Sequence, residues 1–301
     1  MAESNLDLLQ DVSTNQVDNP IPSSTKENDN SMFIGEALDD DEKINLLMTD
    51  SKPYITILIG FEGYGKTSFV ATSYHLLLDN GSIGDYKFVD SDTLVGLERR
   101  LFLRRLSEDL DEIKADTKRT IRGEAHLLSF HLVKDDEEKI FIFSDHSGED
   151  YKEFADKKGL VDKDILLSNA DLLLFFIDVS KLLGTEILTM RQYYIRLLEN
   201  MKKAKVFKQN IKVILLFNKV DIVNDDKESI YLNKRDEIIS LFKRVSGVEN
   251  IDSKDIVSNN IQNTHSLNEL LLDIVNSTSN RISIGSRANR LDWVKQFIKE
   301  H

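Results

Sequence analysis

The chain of 301 residues contains no cysteine. This absence excludes disulfide bonds and metal sites built from thiolates. The chain also lacks an uninterrupted apolar stretch of about 18 residues, the length that a helix needs to cross a bilayer. Residues 1–5 contain neither a basic region nor an apolar core, so we expect no secretion signal. We therefore predict a cytoplasmic protein without a transmembrane segment.

Positive charge is outnumbered by negative charge. The 39 Lys and Arg residues are outnumbered by 52 Asp and Glu, which gives a formal net charge of −13. Nucleic acids and anionic membranes are bound by clustered Lys and Arg, so this balance argues against both as partners. A hydrophobic fraction of 41% is nevertheless enough for a real core.

Composition divides the chain into four segments. Residues 1–31 are polar and acidic, which predicts a disordered tail. Residues 32–52 favour a short helix that docks on its own domain or on a partner. Residues 53–282 alternate strand and helix patterns, which is typical of an α/β domain. Residues 283–301 predict a C-terminal helical extension.

The fold class that this alternation predicts is a three-layer α/β sandwich. Its mostly parallel sheet has six strands, one of them antiparallel, and helices cover both faces. The apolar runs that predict strands lie at 54–59, 125–133, 139–143, 172–177, 213–217 and 255–257, and 86–89 is a further short strand candidate. The runs 125–133 and 139–143 flank an acidic turn and predict a hairpin.

The most specific feature is the segment 60–67, which fits the phosphate-loop pattern G-x-x-x-x-G-K-[ST]. It lies between a predicted strand and a predicted helix, which is the context that the motif needs. In such a loop the backbone N–H groups point at an anion, Lys66 reaches the outer phosphates and the Thr67 hydroxyl binds Mg²⁺. The residues expected to bind nucleotide here are Gly60, Gly63, Tyr64, Gly65, Lys66, Thr67 and Ser68.

Two further motifs follow predicted buried strands. Asp145 and Gly148 form D-x-x-G, which places a carboxylate near Mg²⁺ and a backbone N–H near a γ-phosphate. Asn218, Lys219 and Asp221 form N-K-x-D, whose carboxylate can accept two hydrogen bonds from guanine. Adenine offers no such pair of donors. The motif therefore favours GTP and GDP and argues against an ATPase or a kinase.

In this order the three motifs resemble those of the translation-factor-like, Ras-type P-loop GTPases over residues 53–280. The chain is most similar to the bacterial double-GTPase type-two family. That family has a Ser-x-Thr-Leu segment, here at 91–94, and an Asp-x-x-Gly-Glu motif, here at 145–149.

The resemblance implies further site residues. A switch-loop Thr closes on Mg²⁺ in this class, and Thr120 fits that position best, with Thr117 second. Ser258 stands where the class contacts the guanine oxygen through its backbone, although Asn259 follows in place of Ala.

The implied activity is the Mg²⁺-dependent hydrolysis of GTP to GDP and phosphate. We expect a nucleotide-controlled switch that is slow without a partner and that has a protein effector or regulator. Lys66, Gly148 and Glu149 are the predicted catalytic residues. Glu149 stands where many relatives have a Gln that orients the attacking water. The alternative is a scaffold that holds GTP with little hydrolysis. Glu149 favours it because an ionised carboxylate and the γ-phosphate repel each other, and Glu62 favours it because it stands in the phosphate loop where a small residue lets other groups approach.

Three predictions concern neighbouring side chains. His146 could supply a proton or a hydrogen-bond donor to the γ-phosphate, but the preferred interpretation is a solvent-facing turn residue. Arg119 and Arg122, beside the predicted switch Thr, are candidates for an arginine that acts in cis. Arg99, Arg100, Arg104 and Arg105 are interpreted as a solvated helix face.

Overall fold

The computed structural model describes residues 53–108, 126–135, 137–258 and 264–277. These residues lie within the α/β domain predicted at 53–282. The predictions of a tail at 1–31, of a docking helix at 32–52 and of an extension at 283–301 fall outside the described residues.

One eight-stranded sheet organises the described part of the chain. Its strands are β1 (Tyr54–Ile59), β2 (Ser82–Ile83), β3 (Tyr86–Asp90), β4 (His126–Lys134), β5 (Glu137–Asp145), β6 (Leu172–Asp178), β7 (Lys212–Asn218) and β8 (Ile251–Ile256). Their order across the sheet is β2-β3-β4-β5-β1-β6-β7-β8. From β5 to β8 all neighbours are parallel, whereas β2, β3, β4 and β5 pair antiparallel.

The predicted fold class is confirmed, and so is the hairpin of β4 and β5. The sheet has eight strands where the sequence predicts six, and its antiparallel region spans three strand pairs. The difference has a physical reason at the β2–β3 edge. There β2 is two residues long and β3 alternates buried and exposed positions, so neither carries a strong apolar signal.

Helices connect these strands. They are α1 (Lys66–Asn80), α2 (Leu94–Glu108), α3 (Gly148–Asp156), α4 (Ile165–Asn169), α5 (Val179–Leu183), α6 (Ile187–Lys203), α7 (Asp225–Ser246) and α8 (His265–Asn276). Short 3₁₀ turns cover Val161–Lys163 and Val220–Ile222. Helices α1, α2 and α8 pack together, and α3, α5, α6 and α7 form a second group. Every residue of β1 and β6 is buried, which requires cover on both faces of the sheet.

Apolar side chains of the central strands and of the helices facing them form a continuous core. No helix within the described ranges combines the length and the apolar character that crossing a membrane requires.

The parallel strands determine where the site lies. Because β5, β1, β6, β7 and β8 run in the same direction, their carboxyl ends meet at one edge of the sheet. The residues that end or follow these strands include Gly60, Asp145, Asp178, Asn218 and Ser258. All three predicted motifs are therefore brought to the same edge.

Candidate functional site

The glycine loop at 60–67 joins β1 to α1, and its conformation depends on two glycines. Gly63 and Gly65 have φ angles of 77° and 92°, in the left-handed region that residues with a Cβ rarely adopt. A Cβ on Gly65 would also lie 2.1 Å from Asn218 Nδ2. Since Gly65 is the N-cap of α1, the loop brings its backbone and the positive end of the helix to one point.

Two aromatic residues anchor this loop to the core. Phe61 and Tyr64 are 3% and 4% exposed, and their ring centroids are 5.5 Å apart. Phe61 also packs against Tyr194 of α6, at 4.9 Å between centroids. The motif leaves both loop positions free, so the anchor is not predicted from the sequence. Two aromatic residues three positions apart in a glycine loop are the signal that could have revealed it.

Lys66 is buried at the start of α1. Its Nζ donates a hydrogen bond to the carbonyl of Gly60 at 2.7 Å. Burial lowers the pKa of Lys66 to about 8, even though the nearby charges of Asp145, Asp150 and Glu62 act in the opposite direction. A phosphate at this position would supply the further negative charge that favours the protonated lysine.

Thr67 and Asp145, both predicted to hold Mg²⁺, are in contact. Thr67 Oγ1 donates to Asp145 Oδ2 at 3.1 Å, and Asp145 is 0% exposed. A hydroxyl and a carboxylate are the hard oxygen ligands that Mg²⁺ takes, usually together with substrate phosphates and water. Among the described residues, no group of three or more His, Cys, Asp or Glu side chains could hold a metal ion. The predicted third ligand, Thr120, and its alternative Thr117 lie outside the described residues.

Gly148 touches the glycine loop directly. A Cβ on this residue would lie 2.2 Å from the backbone nitrogen of Glu62, so no other amino acid fits without moving the loop. Ser147 caps α3, because its Oγ accepts a hydrogen bond from the backbone N–H of Glu149 at 3.1 Å. The Glu149 side chain is exposed on the first turn of α3, where the helix dipole stabilises a carboxylate. Its role in orienting water stays a prediction.

His146 does not face solvent, contrary to the interpretation from sequence. It is 5% exposed and packs on Tyr151 at 5.8 Å between ring centroids, because the chain turns inward to begin α3. His146 Nε2 and the Tyr151 hydroxyl have no hydrogen-bond partner among the described residues. Lys66 Nζ lies 5.7 Å from the centre of the Tyr151 ring. Since buried polar atoms are usually paired, these two orphan atoms fit a bound ligand with acceptor oxygens.

Arg100 also differs from its predicted place on a solvated helix face. It is 7% exposed, and its Nε lies 3.6 Å from Asp145 Oδ2. The contact joins residues 45 positions apart in sequence, so helical periodicity alone does not reveal it. Exposed Arg99 on the same helix matches the prediction. The side chains of Arg104 and Arg105, and all of Arg119 and Arg122, lie outside the described residues.

Asn218 holds three loops together. Its Nδ2 donates to the carbonyl of Tyr64 at 2.9 Å and to Ser258 Oγ at 2.8 Å. Its Oδ1 accepts from the backbone N–H groups of Lys219 and Ser258, both at 2.9 Å. Ser258 is 1% exposed, and its carbonyl accepts from Thr72 Oγ1 of α1 at 2.7 Å. The amide thus fixes the phosphate loop, the N-K-x-D motif and the loop after β8 in one arrangement.

Lys219 and Asp221 follow at the rim of the site. Lys219 has a left-handed φ of 68°, and its Nζ lies 2.6 Å from the buried Asp178 Oδ2. Asp178, a polar residue at the end of a buried strand, is a further site residue that the sequence motifs do not reveal.

Asp221 lies in the 3₁₀ turn Val220–Ile222 with its side chain exposed, so its carboxylate is open to an incoming donor. Ser68, half-buried in the first turn of α1, completes the predicted nucleotide-binding residues.

The Ser-x-Thr-Leu segment has a structural task. Thr93 Oγ1 accepts a hydrogen bond from the backbone N–H of Ser129 at 2.9 Å, and Asp92 N donates to Ser129 Oγ at 3.0 Å. These bonds fix the start of α2 to β4.

Beside these bonds, His131 lies between two carboxylates. Asp92 is 2.7 Å from its Nε2, and Glu138 is 2.9 Å from its Nδ1. Burial alone would lower the pKa of His131, but the two carboxylates outweigh it and raise the pKa above 6.5.

A glycine loop between a parallel strand and a helix, with D-x-x-G and N-K-x-D at neighbouring strand ends, defines the class of P-loop GTPases. A family model described as "Double-GTPase 2" matches residues 55–275. The chain belongs to this family, and the resemblance inferred from its motifs is confirmed.

Two comparisons concern individual proteins. Among solved structures the chain is similar to the "bacterial selenocysteine-specific elongation factor EF-Sec", with 15% sequence identity and a TM-score of 0.40. The match covers 75% of this chain but only 29% of that one. No curated protein matches the chain.

Proposed function

We propose that this protein binds GTP with Mg²⁺ and hydrolyses it to GDP and phosphate, and that the bound nucleotide controls a switch. The observation that carries the proposal is the network at the sheet edge in which Asn218 joins the phosphate loop to the N-K-x-D motif. One nucleotide reaches both a phosphate site and a base site only if they are held at a fixed separation, and this amide links the two loops. Membership of a GTPase family supports the same conclusion.

The phosphates are bound by the loop and by Lys66. Its ammonium, which now donates to the Gly60 carbonyl, would donate to phosphate oxygens instead. The backbone N–H groups near Gly63, Gly65 and Ser68 would do the same at the N-terminus of α1. The Tyr151 ring lies near Lys66, and the orphan atoms of His146 and Tyr151 would find acceptors on the phosphates. Burial raises the pKa of Tyr151, which keeps its hydroxyl a donor.

Thr67, Asp145 and Thr120 are the proposed Mg²⁺ ligands. The metal ion would neutralise charge on the β- and γ-phosphates. Asp221, exposed beside the network, would accept two hydrogen bonds from guanine, and the Ser258 loop would contact the guanine oxygen. This arrangement selects guanine because adenine would leave the carboxylate unpaired.

In the proposed reaction the Gly148 N–H donates to the γ-phosphate and Glu149 orients the attacking water. A second candidate function remains, a GTP-holding scaffold with little hydrolysis. It is favoured by the exposure of Glu149, whose carboxylate no neighbour fixes in place among the described contacts. The two functions differ in turnover and not in binding.

Single-turnover hydrolysis separates them. If Glu149 orients the water, Glu149→Ala lowers the rate at least tenfold, which is about 1.4 kcal/mol of barrier, while GTP affinity changes little. Glu153→Ala, on the same helix and paired with Lys157, is the matched control and should leave the rate unchanged. A parent protein that binds GTP without releasing phosphate would support the scaffold. Tighter GTP binding by Glu149→Ala would assign the carboxylate a repelling role.

The switch would consist of the D-x-x-G loop and of the loop that contains Thr120, both of which would respond to the γ-phosphate. We propose a protein effector or regulator that recognises these loops in one nucleotide state. Pull-down with the GTP-bound and GDP-bound forms would identify it. A cytoplasmic location stays a prediction from the sequence.

A further inference from the structure

The Arg100 side chain lies beside Asp145, one of the proposed Mg²⁺ ligands of the candidate site. Its Nε lies 3.6 Å from Asp145 Oδ2, and the same oxygen accepts a hydrogen bond from Thr67 Oγ1 at 3.1 Å. The arginine is 7% exposed and the aspartate 0%. A buried charge is tolerated when a partner compensates it, so the guanidinium balances a carboxylate that Mg²⁺ would otherwise neutralise.

The guanidinium of Arg100 is hydrogen-bonded at one terminal nitrogen but not at Nε. One terminal nitrogen donates to the Gly96 carbonyl, one turn back on α2, at 3.0 Å. Nε has no hydrogen-bond partner among the described residues, because 3.6 Å to the carboxylate is longer than a hydrogen bond. A donor of an arginine that is more than nine-tenths buried therefore remains available beside the predicted metal ligands.

The backbone that carries Arg100 is fixed in place. Leu97 and Leu101, on either side of it in sequence, are both 0% exposed. The Tyr74 hydroxyl of α1 donates to Glu98 of α2 at 2.8 Å. With the start of α2 bonded to β4 through Thr93, the helix has contacts at both of its flanks. The packing of α2 therefore places the Arg100 side chain against Asp145.

Charge determines how Arg100 responds to the arrival of metal and nucleotide. A dication at Asp145 and Thr67 would repel a guanidinium 3.6 Å from the same carboxylate. The phosphate oxygens that Lys66 would bind are negative charges to which the guanidinium could then donate. A guanidinium matches phosphate because its planar fork can donate two parallel hydrogen bonds.

We propose that Arg100 is an exchangeable cation of this site: it neutralises Asp145 without metal and donates to the γ-phosphate when Mg²⁺ and GTP are bound. This inference rests on the proposed GTP hydrolysis and assigns it a catalytic arginine within the chain. In that reaction the water oxygen bonds to the γ-phosphorus, and the bond to the β–γ bridging oxygen breaks. GDP leaves with that electron pair, and the proton that the water loses ends on the phosphate product. Arg100 would stabilise the charge that spreads over the γ-oxygens.

The first test needs no turnover. GDP with aluminium fluoride mimics the transferring phosphoryl group, so its binding should require Arg100, whereas binding of GDP with Mg²⁺ should not. We expect Arg100→Ala to keep GDP affinity within a few-fold of the parent and to lose the aluminium fluoride complex. Arg99→Ala, the exposed neighbour on α2, should retain both. Arg100→Lys keeps a buried positive charge without the fork, and it serves if the alanine variant does not fold.

The second test measures single-turnover hydrolysis. An arginine supplied to the γ-phosphate is worth on the order of a thousandfold or more in rate, so Arg100→Ala and Arg100→Lys should both be slow. If the parent hydrolyses GTP and Arg100→Lys matches it in rate and in aluminium fluoride binding, the Arg100 proposal is wrong and the proposed function stands. If the parent binds GDP but neither hydrolyses GTP nor forms the complex, the proposed hydrolysis fails, and the role of Arg100 fails with it.

Discussion

Single polar residues at this site are buried more deeply than their motifs require. Asp145, Asn218 and Ser258 are each 1% exposed or less. Because a buried polar group without a partner costs free energy, changing one of them affects the fold as well as the ligand. For Lys66 the effect on binding is easier to separate from the effect on folding, since burial already disfavours its charged form and lowers its pKa to about 8. It is therefore the residue at which binding can be tested with little effect on folding.

Lys66→Ala should weaken GDP and GTP binding and leave the fold largely intact. A hydrogen bond to a charged group contributes about 1.5–3 kcal/mol, which corresponds to a loss of roughly tenfold to a hundredfold in affinity. Titration with a fluorescent GDP analogue measures the affinity, and thermal unfolding without nucleotide measures the fold.

Lys87→Ala is the matched control, because Lys87 is exposed on β3. It should bind like the parent. Equal GTP affinity for Lys66→Ala and Lys87→Ala would show that the loop is not a phosphate site.

At the scale of the loops and strands, the Asn218 side chain bonds the phosphate loop, the N-K-x-D motif and the loop after β8 to one another. Asn218→Ala removes the bonds to Tyr64, to Ser258 and to the backbone of Lys219. We expect unfolding free energy to fall by about 1–3 kcal/mol, because the groups left behind stay buried and unpaired. GDP affinity should fall with it, since the loops lose their common support. Urea denaturation and GDP titration measure the two effects.

Asn80→Ala offers a control at the exposed end of α1. It should change neither quantity. If Asn218→Ala were as stable as the parent, the bonds of Asn218 would not be what holds the three loops together.

The turn between β3 and α2 should respond to pH through His131. Its pKa is raised above 6.5 in the folded protein by Asp92 and Glu138, against the opposing effect of burial. A raised pKa contributes stability that is fully present below the unfolded value and is lost as the pH rises through the folded value. The parent should therefore lose its stability advantage over His131→Gln as the pH rises from below 6.5 to well above it.

Urea denaturation of both proteins across that range measures this advantage. Glu138→Gln, which removes one of the two carboxylates, should show a smaller change with pH than the parent. Parallel stability curves for the parent and His131→Gln would contradict the assignment.

How far the sequence predicts these elements depends on the range of the interactions. The buried runs at β1, β6 and β7 are predicted because core strands are continuously apolar. Edge strand β8 is predicted only at its end, because its interior residues Asp252, Ser253, Lys254 and Asp255 are polar. The ligand-binding motifs are local patterns and are found by spacing. The contact of Arg100 with Asp145 is long-range, and no local pattern encodes it.

At the scale of the whole molecule, five parallel strands bring residues from Gly60 to Ser258 to one edge of the sheet. The residues proposed to bind phosphate and metal lie at the ends of β1 and β5, and those proposed to recognise the base lie after β7 and β8. Binding of a guanine nucleotide at this edge, as proposed, would therefore combine residues from the ends of several parallel strands. Asp221 is the residue that would distinguish guanine from adenine.

Titration calorimetry of the protein with GDP, GTP, ADP and ATP in the presence of Mg²⁺ tests whether this edge is a guanine-nucleotide site. We expect guanine nucleotides to bind more tightly than adenine nucleotides by on the order of ten thousandfold, because a site built to pair with polar donors rejects a base that lacks them. We also expect Asp221→Asn to shift the preference toward xanthine nucleotides. Equal affinity for ATP and GTP would show that the edge does not recognise guanine.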